Sequence, residues 1–113
     1  KLESLDLSNN EIKLIMDKSF ENLKKLNYLN LSRNKFLEKI QNQTFNQLSE
    51  LQVLDLSNCK IELIEKDSFK PLINLKKLNF GGTDYILSNE ILNEFSSMPN
   101  LLIYSTDNIE IYK

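Results

Sequence analysis

Few residues in this chain have chemistry to offer, and their spacing limits what they can do. Cys59 is the single thiol, Gly81 and Gly82 are the only glycines, and histidine is absent. Without histidine there is no side chain poised to exchange a proton at neutral pH, and one cysteine makes no internal disulfide. Gly81-Gly82 lacks both a following Lys-Ser/Thr and the GxGxxG frame that brings backbone amides to a phosphate. The pair reads as a bend in an extended segment. No nucleophile sits beside a base, no metal ligands are paired, and no cofactor cradle is present, so the expected class is non-enzymatic. Recognition and modification chemistry remain. Asn42-Gln43-Thr44 and Asn30-Leu31-Ser32 are acceptor sequons for N-linked glycans. Tyr28, Val53, Asp55 and Lys77 recur at a spacing that brings them side by side.

The residues that position these groups repeat along the chain. Leu51-Gln52-Val53-Leu54-Asp55-Leu56-Ser57-Asn58-Cys59-Lys60-Ile61 aligns with Leu2-Glu3-Ser4-Leu5-Asp6-Leu7-Ser8-Asn9-Asn10-Glu11-Ile12. It aligns equally with Leu26-Asn27-Tyr28-Leu29-Asn30-Leu31-Ser32-Arg33-Asn34-Lys35-Phe36. A looser copy runs Leu75, Leu78, Phe80, Thr83, Tyr85, and a degenerate one Leu101, Tyr104, Thr106, Ile109, Ile111. Successive starts lie 24, 25, 24 and 26 residues apart. Phe20, Phe45 and Phe69 recur with them, as do Leu23, Leu48 and Leu72.

Ser4-Leu5-Asp6-Leu7-Ser8 alternates with the period of a strand, leucines inward and polar residues outward. One unit cannot bury its apolar side alone, whereas stacked units share a continuous core. The short strands then form a parallel sheet on the concave side, about 4.8 Å apart, and the bulkier phenylalanine-bearing segments return on the convex side. The chain divides into units at about 2–25, 26–50, 51–74 and 75–100, with a partial unit at 101–113, within one domain spanning residues 1–113. The second unit is one residue longer, in the segment Lys39 to Phe45. In the fourth, Ser88 caps a short helix that buries Ile91, Leu92 and Phe95, and Pro99 disfavours its continuation. The fifth keeps Leu101, Tyr104 and Thr106 inward and has Ile109 in the turn slot.

Asn10, Asn34, Cys59 and Thr83 share that turn slot and form a structural ladder, because an Asn amide bonds backbone groups that no neighbouring strand satisfies. Cys59 substitutes for asparagine there, and a buried thiol is inert. The outward strand positions stack into columns: Ser4, Tyr28, Val53, Lys77, Ile103; then Asp6, Asn30, Asp55, Asn79, Ser105; then Ser8, Ser32, Ser57, Gly81, Asp107. Tyr28 and Val53 place apolar groups toward solvent, with acids beside them and Lys76-Lys77 beyond. Tyrosine is enriched in interface cores, so Tyr28, Val53, Asp55 and Lys77 form a candidate ligand-binding stripe; the plain alternative is a solvated strand face. Asn42 lies in a convex loop that suits a glycan. Asn30 lies mid-strand on the concave face, where a glycan would obstruct binding.

The segments Leu5-Asp6-Leu7-Ser8-Asn9-Asn10, Leu29-Asn30-Leu31-Ser32-Arg33-Asn34 and Leu54-Asp55-Leu56-Ser57-Asn58-Cys59, with Phe20, Phe45 and Phe69, follow the signature L-x-x-L-x-L-x-x-N/C-x-L. The chain resembles the leucine-rich repeat in its extracellular form of about 24 residues. Toll-like receptor ectodomains, insect Toll-type receptors and secreted insect immune repeat proteins are similar in style. The resemblance covers the first three units well, the fourth partly and the fifth poorly. Intracellular ribonuclease-inhibitor-like arrays, with units of about 28 or 29 residues, fit less well.

This resemblance implies an α/β leucine-rich-repeat solenoid, a curved arc with concave strands and convex loops or short helices. It also implies a non-catalytic recognition module of an extracellular or cell-surface receptor, innate-immune or developmental, binding a protein or microbial ligand. A structural spacer in an adhesion or matrix protein and an intracellular scaffold stay open as alternatives. With 14 basic and 16 acidic residues the net charge is -2, which gives no electrostatic case for nucleic acid. Apolar runs of three or four residues do not insert into a membrane. Neither end carries a polar capping repeat, so further repeats or caps of the same chain are expected on both sides.

Overall fold

Leucine alternation becomes a stack of very short strands in the computed structural model, which describes residues 1–98, 101–104 and 109–112. In chain order the elements are β1 (Ser4–Asp6), β2 (Tyr28–Asn30), β3 (Lys39–Ile40), β4 (Val53–Asp55), β5 (Leu63–Ile64), β6 (Lys77–Asn79), α1 (Asn89–Asn93), β7 (Leu101–Tyr104) and β8 (Ile109–Tyr112). The main sheet runs β1-β2-β4-β6-β7-β8, and β3 pairs with β5 in a second small sheet on the return leg of the coil. All pairs are parallel except β7 with β8. This is the expected α/β solenoid, with one addition at its far edge.

Pairing places Leu5, Leu29, Leu54, Leu78 and Ile103 in one inward row. Leu29, Leu54 and Leu78 are completely buried, while Leu5, with a neighbour on one side only, is half-buried. Behind them Phe20, Phe45, Phe69 and Phe95 fill the convex side of the core. Phe69 is the hub: its ring stacks on Phe45 at 6.1 Å, tilts against Phe95 at 5.3 Å and meets Phe80 edge-on at 6.4 Å. Phe95 lies in the turn just past α1, the expected short helix, which ends before it and whose first turn is closed by Ile91 N–H donating to Ser88 Oγ at 3.2 Å. Ile91 is buried and Leu92 packs half-buried against the core.

Each of β1, β2, β4 and β6 leaves through a left-handed residue. Asn9, Arg33, Asn58 and Gly82 occupy the same slot, with φ of 59°, 61°, 57° and 78°. That conformation costs a non-glycine residue about 1–2 kcal/mol, and asparagine tolerates it best. The strain is held by the ladder: Asn9 N–H donates to the Ser32 carbonyl, Arg33 N–H to Ser57 and Asn58 N–H to Gly81, at 2.8–2.9 Å. The adjacent glycines are thus the fourth copy of this exit turn.

Three expectations need correction. The extra residue of the second unit does not lie between Lys39 and Phe45. It sits in the turn Asn34-Lys35-Phe36-Leu37, closed by Leu37 N–H donating to the Asn34 carbonyl at 3.1 Å. The inward position therefore moves on by one, so Leu37 is buried and Phe36, aligned with Ile12 and Ile61, is 51% exposed. In the fifth unit the register shifts by one: Leu78 pairs with Ile103, and Leu101 and Ile103 point inward. A one-residue slip exchanges the two faces of a strand, so Tyr104 lies on the concave side and Ile103 leaves the outward column. The slip buries two wholly apolar side chains and leaves the tyrosine half-buried. Finally, Ile109 occupies no turn but begins β8, which returns antiparallel with Tyr104 opposite Ile109. Pro99, Ser105, Thr106 and Asp107 lie outside the described residues.

Glu94, just past α1, went unnoticed in the sequence pattern. It is 9% exposed, and its carboxylate accepts the Asp67 N–H at 2.6 Å and the Phe69 N–H at 3.0 Å. It clamps the neighbouring unit where Asp67 takes a φ of 68°. Glu94→Ala is expected to cost about 2–4 kcal/mol in urea unfolding, since two backbone donors lose a charged acceptor. Glu94→Gln, which keeps one carbonyl oxygen, should lose measurably less.

Candidate recognition face

The concave surface is two rows of side chains fixed by strand pairing. Ser4, Tyr28, Val53 and Lys77 stand in adjacent register, and the row continues to Leu102. Asp6, Asn30, Asp55 and Asn79 form the second row, which continues to Tyr104. Tyr28, Val53, Asp55 and Lys77 are all half-buried. Lys77 is also engaged within the chain: its ammonium lies 4.9 Å from the centre of the Tyr104 ring, a cation–π contact. The register shift of the fifth unit creates that contact, so the sequence alignment could not have shown it.

The second row has a structural duty. Oδ1 of Asp6, Asn30, Asp55 and Asn79 accepts the backbone N–H two residues on, from Ser8, Ser32, Ser57 and Gly81, each at 2.9 Å. These are Asx turns that start the exit from each strand. The signal was present as an Asp or Asn two positions before Ser or Gly in each of the first four units. Among the described residues the second carboxylate oxygen of Asp55 makes no hydrogen bond. The Asp6 carboxyl is held below the usual carboxylate range, first by the Ser8 hydroxyl and then by the Ser8 backbone N–H.

At the turn slot Asn34 is completely buried. Its Nδ2 donates to the Leu31 carbonyl at 2.8 Å and across to the Leu7 carbonyl of the previous unit at 3.1 Å, while Oδ1 accepts the Ile12 N–H at 3.2 Å. Cys59 Sγ makes the same crossing, donating to the Leu31 carbonyl at 3.1 Å. Burial pushes the Cys59 thiol up, which keeps it a protonated donor. Thr83 Oγ1 donates to the Phe80 carbonyl of its own unit at 2.9 Å, and the Asn10 amide, exposed, donates to Leu7 and Ser8.

Of the two sequons, Asn42 is exposed, with its N–H donating to Glu65 Oε1 at 2.9 Å. Thr44 is buried, and its hydroxyl oxygen accepts the Gln41 N–H at 3.1 Å. Asn30 is half-buried, with its side-chain oxygen already bonded. Among the described residues no group of three or more His, Cys, Asp or Glu side chains is placed to hold a metal. No helix there is long and apolar enough to cross a membrane.

The leucine-rich repeat family model matches residues 1–61 and, overlapping, 31–84. No curated protein matches the chain. Among solved structures it is similar to a chain of the glycosylated Toll–Spatzle complex of Drosophila, described as a molecular hub in development and innate immunity. There the identity is 28% and the TM-score 0.78, over 91% of this chain and 15% of that one. A second structure of that complex gives 27% identity and a TM-score of 0.79, over 92% and 15%. A complex of TLR13 with ssRNA13 gives 28% identity and a TM-score of 0.63, over 91% and 18%. The chain therefore spans under a fifth of the length of these relatives. Repeat signature, parallel coil and family match agree: the chain belongs to the leucine-rich repeat family, with a coil like those of Toll and TLR13 ectodomains.

Proposed function

We propose that this chain is a non-catalytic recognition module of an extracellular or cell-surface receptor, and that it binds a protein ligand on its concave face. The observation that carries this reading is the row Tyr28, Val53 and Lys77, where an aromatic, an aliphatic and a cationic side chain lie in neighbouring register, each half-buried. Asp55 adds a carboxylate beside Val53. Similarity to a chain of the Toll–Spatzle complex supports a protein partner. The ssRNA13 complex keeps nucleic acid among the ligand classes to be tested, so the net charge alone does not remove it. A glycan at the exposed Asn42 fits the same extracellular setting. Asn30 is the poorer acceptor, because its side chain serves the Asx turn.

One observation favours the spacer alternative: all four second-row residues spend an oxygen on their own backbone. Photo-crosslinking separates the two readings. The chain carrying Tyr28→p-benzoylphenylalanine is expressed in its source cells beside one carrying the same residue at Ile73, which is exposed. Mass spectrometry is expected to find a secreted protein joined at position 28 and not at 73. Absence of any adduct at 28, or equal adducts at both, favours the spacer.

A further inference from the structure

The turn edge of the coil, apart from the strand rows, gathers three cations with no acid among the residues lining their recess. Arg33, Lys35 and Lys60 line one open recess of about 420 Å³, together with the carboxamide residues Asn9 and Asn58. Among the described residues none of the three makes a side-chain ion pair or hydrogen bond; the ion pairs there use Lys25, Lys39 and Lys70. The chain as a whole carries a net charge of -2, so the recess is a local exception. Its limits are set by acids: Glu62 and Asp84 line an adjoining hollow that shares Lys60 with the recess, and Glu11 holds the slot of Lys35 in the first unit. Gly82 shapes the recess too, since a Cβ there would run into the Asn58 carboxamide. Without one, Asn58 packs against the bare turn.

We propose that this recess binds a sulfate ester of a sulfated sugar chain. The guanidinium fork of Arg33 suits two oxygens of a tetrahedral anion, and Lys35 and Lys60 add point charges. The carboxamides of Asn9 and Asn58 each offer a donor and an acceptor, which matches the hydroxyls flanking such an ester. Single-stranded nucleic acid needs aromatic rings on which bases stack, and no aromatic residue lines the recess. The proposal is independent of the concave row, which lies on the strands.

Titration calorimetry of the chain with a short heparin-derived oligosaccharide tests it, with inorganic sulfate and an oligouridylate run in parallel. Lys35→Gln with Lys60→Gln removes two exposed cations outside any hydrogen-bond network, so the fold is retained. Lys25→Gln with Lys70→Gln removes the same charge elsewhere. Binding of the oligosaccharide with a Kd below about 1 mM is expected. It should weaken about ten-fold or more in the first pair and less than about two-fold in the second. Equal weakening in both pairs would mean diffuse charge attraction and overturn the site. No binding, tighter binding of oligouridylate, or inorganic sulfate bound as well as the oligosaccharide would each overturn it as well.

Discussion

Asn34→Leu is expected to lower stability by about 2–4 kcal/mol, measured by urea unfolding, because the leucine removes three buried or part-buried hydrogen bonds and strands one backbone donor. The Ile12 N–H loses its acceptor, and the Leu31 and Leu7 carbonyls each lose one of two donors, keeping Cys59 Sγ and the Asn10 amide respectively. Such a loss is a large share of the roughly 5–15 kcal/mol that holds a domain together. The third unit supplies the control. Cys59 does this job with one bond, to the Leu31 carbonyl, so Asn34→Cys should retain part of the stability that Asn34→Leu loses. Asn34→Asp gives a sharper result. Its carboxylate can accept from Ile12 but would face two carbonyls, so its folded pKa is raised above the unfolded value of about 3.9. A raised pKa stabilises the fold below the unfolded pKa and loses that contribution as pH rises through the folded one. The variant should weaken from pH 4 toward 7 (roughly that window), relative to the parent chain. A flat difference would show that the slot does not depend on donation.

Phe69→Ala is expected to cost a similar amount, about 3–5 kcal/mol, the range for emptying a buried phenylalanine site. Phe69 is completely buried and contacts three other phenylalanines drawn from neighbouring units and from the strand layer. The void therefore opens where the second, third and fourth units meet and cannot close by moving one loop. Phe69→Leu keeps most of the volume and should cost clearly less. A loss in Phe69→Ala no greater than that in Phe69→Leu would mean the rings collapse into the space.

Leucine spacing made the sheet legible because strand alternation and unit length are both local. Leu5, Leu29, Leu54 and Leu78 could be aligned without knowing any contact. Phe36 and Leu37 could not be told apart, since both are apolar and only the hydrogen-bonded turn after Asn34 decides which faces inward. Leu101 to Tyr104 offered two alternations, and the choice depends on what each face meets. Matching Leu101 to Leu75 by spacing selected the wrong one. Glu94 was invisible for another reason: its partners are backbone N–H groups more than twenty residues away, and no side-chain pattern records them. The concave row was readable as a geometry, whereas the Lys77–Tyr104 contact depends on the shifted register.

Among the described residues the side-chain ties across the coil run from one unit to the next: Cys59 to Leu31, Asn34 to Leu7, Glu65 to Asn42, Glu94 to Asp67 and Phe69. Such an arrangement is open to gain or loss of whole units in heredity. Excising residues 51–74 would bring β6 beside β2, setting Lys77 opposite Tyr28 and Leu78 opposite Leu29, with Phe95 next to Phe45. Each inward row would close over the gap with an apolar residue. A gene built this way can lengthen or shorten its arc by unequal recombination at unit boundaries, and selection then acts on reach and curvature rather than on rescuing a broken core.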